Sequence, residues 1–223
     1  MENVMKFQDL TQVLEQDESI FIPRRVEDRQ IRRIRRINQY IQDYIKRGSK
    51  GDLDVSHTPI TSLPSNLKYV GGNLHASGSL LQSLPDGLHV EGHLILSFTP
   101  LKQLPKGLVV GKNINLYDTQ ITHYPDNIIV GGTISLGGTP LQSLPDGLTV
   151  NDSLDLYKVP MTVLPNKLVV KGDLDLFDSN ITHIPNDIKV GNVVYLVGTP
   201  ISRRYSEKQI MQMCPGITNI YIT

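Results

Sequence analysis

The chain has 223 residues, 39% of them hydrophobic, which is enough apolar surface for one ordinary domain or one short repeat array. Lys plus Arg and Asp plus Glu each number 22, so the overall charge gives no reason to expect a nucleic acid or an anionic membrane as partner. The single Cys214 excludes an intramolecular disulfide framework and any site built from paired cysteines.

The first residues, Met1-Glu2-Asn3-Val4-Met5-Lys6, lack a signal-peptide apolar stretch, and no apolar run reaches membrane-spanning length, so a cytoplasmic location without membrane contact is expected. Residues 1–50 read as a helical N-terminal cap. A short helix around Phe7, Leu10 and Leu14 is expected, then the turn-like Asp17-Glu18-Ser19. A longer helix is predicted over 24–47, with Pro23 at its start and Ile31, Ile34, Ile37, Ile41 and Tyr44 recurring at three and four. From 24 to 50 ten basic residues oppose Glu27, Asp28 and Asp43, a local +7, whereas from 51 onward eleven basic residues meet fourteen acidic ones, a local −3. Arg25, Arg29, Arg32 and Arg36 form a stripe opposite the isoleucines, with Arg33 alongside. That stripe fits a solvated outer face, a contact for an acidic protein, or a contact for nucleic-acid phosphates. No aromatics interleave with the arginines, which argues against single-stranded nucleic acid.

Residues 51–202 repeat. Leucine-type residues stand at Leu53, Leu74, Leu94, Ile114, Ile134, Leu154, Leu174 and Val194, with one spacing of 21 and six of 20. Proline follows eleven residues later at 64, 85, 105, 125, 145, 165 and 185. A fixed period of this length marks a solenoid, in which each unit buries its apolar edge only against the next. Within one unit Leu94 and Leu96 alternate, predicting a brief strand with Ile95 facing outward. Pro105 favours an extended, non-helical return, and a second extended piece follows at Leu108 and Val110. Each unit closes on Gly, Asn or Asp (Gly71-Gly72, Gly92, Gly111, Gly131-Gly132, Asn151-Asp152, Gly172, Gly191), expected to allow the corner through positive φ.

The stretch Leu174-Asp175-Leu176-Phe177-Asp178-Ser179-Asn180-Ile181 resembles the leucine-rich repeat pattern, with serine in the asparagine column, and Ile184-Pro185 is similar to the leucine-proline of the short bacterial subclass. The resemblance implies a parallel β-sheet on a concave face, an irregular or extended convex side, and a protein of bacterial or bacteriophage type that binds other proteins. The asparagine column here reads Thr58, Ser79, Thr99, Thr119, Thr139, Val159, Ser179 and Thr199, so hydroxyls are expected to satisfy the buried backbone of that turn.

Two outward columns of the predicted sheet can be read as a surface. One runs Asp54, His75, Ile95, Asn115, Ser135, Asp155, Asp175, Tyr195, and the other Ser56, Ser77, Ser97, Tyr117, Gly137, Tyr157, Phe177, Val197. The second column is small and polar in the first three units and mostly aromatic later. Tyr117, Asp155, Tyr157, Asp175, Phe177 and Tyr195 are therefore the candidate partner-binding residues, against the alternative that aromatics on strands reflect β-propensity alone.

Residues 203–223 read as a C-terminal cap, with Ser206 starting a helix to about Met213, Pro215-Gly216 ending it, and Ile220-Tyr221-Ile222 supplying a ninth strand. Catalytic signatures are missing from the sequence. Of six histidines only His89 and His93 are close, and they straddle a corner, while no nucleophile elbow or phosphate-binding loop occurs. The sequence thus leads to a non-catalytic protein-interaction module without cofactor, metal or small-molecule substrate, with nucleic-acid binding through the Arg-rich helix as the alternative.

Overall fold

The computed structural model describes residues 24–222, so the short helix expected around Phe7, Leu10 and Leu14 lies outside the described residues. Helix α1 (Arg24–Lys46) leads into a stack of coils. Their first strands are β1 (Leu53–Asp54), β3 (Leu74–His75), β5 (Leu94–Ile95), β7 (Ile114–Asn115), β9 (Ile134–Ser135), β11 (Leu154–Asp155), β13 (Leu174–Asp175) and β15 (Val193–Tyr195). With β16 (Asn219–Tyr221) they form one nine-stranded sheet, parallel throughout and in strict coil-to-coil register: Leu74 pairs with Leu94, and Leu154 with Leu174. The protein is a parallel β-solenoid with a repeat of about 20 residues.

The return side is more regular than the sequence suggests. The extended pieces after the prolines are also strands, in two further parallel sheets. One holds β2 (Tyr69–Val70), β4 (His89–Val90), β6 (Val109–Val110) and β8 (Ile129–Val130), and the other β10 (Thr149–Val150), β12 (Val169–Val170) and β14 (Lys189–Val190). Once the leucine ladder fixes the stacking, an extended stretch lies about one strand spacing from its neighbours and can pair with them, as these do everywhere except between Ile129–Val130 and Thr149–Val150.

The core is a set of ladders, Leu74, Leu94, Ile114, Ile134, Leu154 and Leu174 among them, all buried. The hydroxyl column lies beside it. Thr99, Thr119, Thr139 and Thr199 each donate to the carbonyl three residues earlier at 2.6–2.8 Å, as the sequence predicts for the buried turn, whereas the buried Ser179 Oγ makes no hydrogen bond among the described residues and its turn is closed by the backbone amide alone. Val159 occupies the same place without a hydroxyl, and its amide alone reaches Leu156 O at 3.3 Å.

Two corners differ from the sequence reading. The glycines at 71, 72, 92, 111, 131, 132, 172 and 191 do not have positive φ. They are needed because coils touch: a Cβ at Gly111, Gly131 or Gly191 would strike the carbonyl oxygen of Glu91, Gly111 or Lys171 in the preceding coil. In the coils the left-handed residues stand elsewhere: one column just after the long sheet, at His57, Gly78, Phe98, Asp118, Gly138, Lys158, Asp178 and Gly198, and a second after the prolines, at Gly87, Gly107, Gly147 and Lys167. Beside the first corner a polar column ties coil to coil: Asn73 N donates to Asp52 Oδ1 at 2.7 Å, His93 N to Asn73 Oδ1 at 2.8 Å, and Val193 N to Asp173 Oδ1 at 3.1 Å.

Each end of the stack is covered. At the first coil Ile41 and Tyr44 of α1 are buried, the Tyr44 hydroxyl lies 2.8 Å from the carbonyl oxygens of Ser49 and Gly51, and burial raises its pKa. Gly48, with φ +84°, ends the helix. At the last coil α2 (Pro200–Arg204) and α3 (Glu207–Met213) precede β16, and a capping box of Ser206 and Gln209 starts α3. Ile201, Ile210, Cys214 and Ile217 close the core there. No helix among the described residues is long and apolar enough to cross a membrane.

Candidate binding surface

The outer face of the nine-stranded sheet carries side chains at alternate positions, and the character of that face changes along the stack. In the first coils Ser77 and Ser97 meet hydroxyl to hydroxyl at 3.0 Å, leaving a small, self-satisfied surface. From the third coil onward aromatic rings follow one another. Phe98 and Tyr117 lie edge to face at 5.7 Å, Tyr117 and Tyr157 are nearly parallel at 6.5 Å, and Tyr157 and Phe177 sit at 5.9 Å. All three separations fall within the range of attractive ring pairs.

Tyr117 and Tyr157 are two coils apart, a span of roughly 9.6 Å at the usual strand spacing. Their rings nevertheless approach to 6.5 Å because the intervening coil carries Gly137. A Cβ at Gly137 would lie 3.1 Å from Tyr117 Cδ2 and 3.1 Å from Asp155 Oδ1, so the ring leans over the glycine. Gly137 is what makes the strip continuous.

Of the six residues singled out from sequence, Tyr117, Tyr157 and Phe177 share this strip. Tyr195 contacts Tyr221 instead, at 6.0 Å, forming a separate pair at the C-terminal end. The carboxylates have internal duties. Asp155 accepts the Tyr157 amide at 2.9 Å and the Ser135 hydroxyl at 2.7 Å, and Asp175 accepts the Phe177 amide at 2.8 Å. Each thereby fixes the backbone under the next ring, as Asn115 does for Tyr117 at 3.0 Å. Burial, followed by the charges of Asp155 and Asp173, raises the Asp175 pKa. The Lys158 ammonium lies 4.9 Å from the Tyr157 ring centroid, and its pKa is raised by the Tyr157 hydroxyl.

Sequence reasoning missed Phe98. It is 60% exposed and holds φ at +58°, a left-handed conformation that is unfavourable for a bulky residue. Its column otherwise holds only Gly, Asp, His and Lys, and an aromatic breaking that rule was the available signal. Beside it Leu80, 52% exposed, and Pro100 line an open groove of about 420 Å³.

The second candidate group is the arginine stripe. Arg25 begins in the first turn of α1, and Arg29, Arg32, Arg33 and Arg36 are exposed along it. The Arg33 guanidinium donates to the His57 carbonyl at 3.0 Å, a tie between helix and first coil that spacing alone did not reveal. Among the described residues no three of His, Cys, Asp and Glu converge in a way that could hold a metal ion. No protein-family model matches the chain, and no curated protein matches it.

Proposed function

We propose that this solenoid is a non-catalytic protein-interaction module whose working surface is the aromatic half of the long sheet's outer face. The repeat resemblance supports a leucine-rich repeat protein of the short bacterial subclass, acting in the cytoplasm of a bacterial or phage-infected cell as an adaptor or a stoichiometric inhibitor. The observation that carries the reading is the strip Phe98, Tyr117, Tyr157, Phe177. It begins with a strained, solvent-facing phenylalanine and continues by ring contacts across five coils. Stacking requires no rings there, since the first coils stack equally well with serines. Rigid, half-exposed aromatics gain contact area at low entropic cost and supply most interface hot spots.

The test is affinity capture from the native cell, with quantification of what the wild type retains and the variants lose. Tyr157→Ala and Phe177→Ala should lower partner retention by a factor of about thirty while leaving the fold intact, since a truncated hot-spot aromatic costs about 2 kcal/mol or more. Undiminished retention by both variants would remove this surface from consideration, and substrate turnover by the isolated chain would remove the non-catalytic reading.

A further inference from the structure

The chemistry around the strip restricts what can lie on it. Asp118 and Asp178 follow Tyr117 and Phe177 in the chain, Asp155 and Asp175 precede Tyr157 and Phe177 by two residues, and Asp155 and Asp173 lie close enough to Asp175 to raise its pKa, while Lys158 is the cation set on the strip's rings. Among the described residues no Lys or Arg lies within salt-bridge distance of Asp155, Asp173 or Asp175. Asp175 is half-buried, and among the described residues only one of its oxygens accepts a hydrogen bond. Negative charge of this kind, partly removed from water beside like charges, is stabilised by an incoming cation. The strip already holds one: the Lys158 ammonium rests on the Tyr157 ring at 4.9 Å, an internal stand-in for a partner's cation. The near-parallel rings of Tyr117 and Tyr157, at 15°, suit a planar cation better than a spherical one, because a guanidinium stacks on a ring face and gives up its hydration more readily than an ammonium.

We infer that the partner lays an extended, arginine-bearing segment along this strip, with guanidinium groups stacked on Tyr157 and Tyr117 and paired with Asp155 and Asp175. The inference rests on the surface assigned above and adds the chemistry of its occupant. From Phe98 to Phe177 the strip spans four coil steps, roughly 19 Å, which an extended chain covers in about six residues. Alternate residues of such a chain face the sheet together, so arginines at every second position would all reach it.

The probe is a fluorescent peptide of about eight residues alternating arginine and glycine, titrated with the full chain and compared with the lysine-glycine and glutamate-glycine peptides. The arginine peptide should bind about fivefold or more tighter than the lysine peptide, weaken as salt rises, and leave the glutamate peptide unbound. Tyr157→Ala and Phe177→Ala should each weaken it about tenfold with melting curves recorded alongside. Lys158→Asn, which keeps a residue tolerant of positive φ, should tighten it about threefold by removing the internal competitor. Equal affinity for arginine and lysine peptides, indifference to Tyr157→Ala, or weaker binding by Lys158→Asn would overturn the inference. So would preferential binding of a single-stranded oligonucleotide at the strip. Concentration-dependent self-association lost both in Tyr157→Ala and in Arg29→Gln/Arg36→Gln would seat a second copy's α1 there, and overturn it too. If native-cell capture depends on Tyr157 while the arginine peptide does not bind, the surface reading stands and this inference falls; if neither depends on Tyr157, both fall.

Discussion

Coils one to three and coils four to seven share a backbone and a core, but the outer face of their common sheet differs in character, with Phe98 at the corner of coil three marking the change. In both, leucine-type ladders are buried and parallel strands pair in register. Outside, the early coils carry Ser56, Ser77 and Ser97, and the later ones Tyr117, Tyr157 and Phe177 over carboxylates. The acidic column shows the same divide. Asp54 and Asp175 each accept the amide two residues on, at 2.9 and 2.8 Å. Yet the Asp54 pKa is lowered by the Ser56 amide and hydroxyl, whereas that of Asp175 is raised by burial and by neighbouring carboxylates. The solenoid dictates the hydrogen bond, and the rings and acids crowded around it set the charge energetics. What repeats along the stack is the core and its register, and what changes is the outer face.

The largest effects should ignore this divide. Leu96→Ala in the early half and Leu156→Ala in the later half remove equivalent fully buried side chains, and each should lower unfolding free energy by about 2–5 kcal/mol in denaturant titrations. A loss confined to one half would show that the two halves do not share one core.

Substitutions at the surface should separate the halves. Ser77→Ala and Tyr157→Ala should both leave a folded chain, but only Tyr157→Ala should cost partner binding about 2 kcal/mol. Gly137→Ala probes the same divide from below. Its methyl group would press on Tyr117 and Asp155, so it should weaken partner binding severalfold while shifting melting little. Equal binding by Gly137→Ala and wild type would mean that ring continuity is irrelevant.

The smallest effect concerns pH. Asp54, with its native pKa lowered, contributes stability that is complete above the ordinary carboxyl value of 3.8 and is lost as pH falls through its native value. Asp175, raised, does the reverse: it becomes a penalty as pH rises from 3.8 through its native value. At neutral pH Asp54→Asn should therefore lower the melting temperature and Asp175→Asn raise it slightly, with both differences vanishing well below the carboxyl range. Shifts of the same sign at neutral pH would contradict the contrast.

The repeat and the hydroxyl column were legible because each recurs at a fixed position and has a single physical demand, a buried apolar contact or a turn carbonyl needing a donor. Thr99, Thr119 and Thr139 meet that demand as their spacing implies. The corner glycines were located correctly but for the wrong reason. Composition cannot distinguish a residue that needs positive φ from one whose Cβ would strike the neighbouring coil, as at Gly131. The extra sheets were hidden because two-residue strands such as Val109–Val110 have too little pattern to announce pairing. The sequence places Asp155 and Asp175 on the outer face, but it shows a side chain's charge and not its hydrogen bonds to the amides of Tyr157 and Phe177. Phe98 was overlooked because the strip continues past the sheet onto the left-handed corner, a place the alternation of a strand does not reach.

On the proposed function, the aromatic half of the long sheet meets a protein and the serine half does not. Photo-crosslinking inside the native cell tests it directly, with a benzoyl-phenylalanine placed in turn at Phe177, at Ser56, and at Ile129, which is 64% exposed on the second sheet. A discrete higher-mass adduct is expected from position 177 and none from 56 or 129. The same adduct from all three, or from 56 or 129 and not from 177, would contradict it.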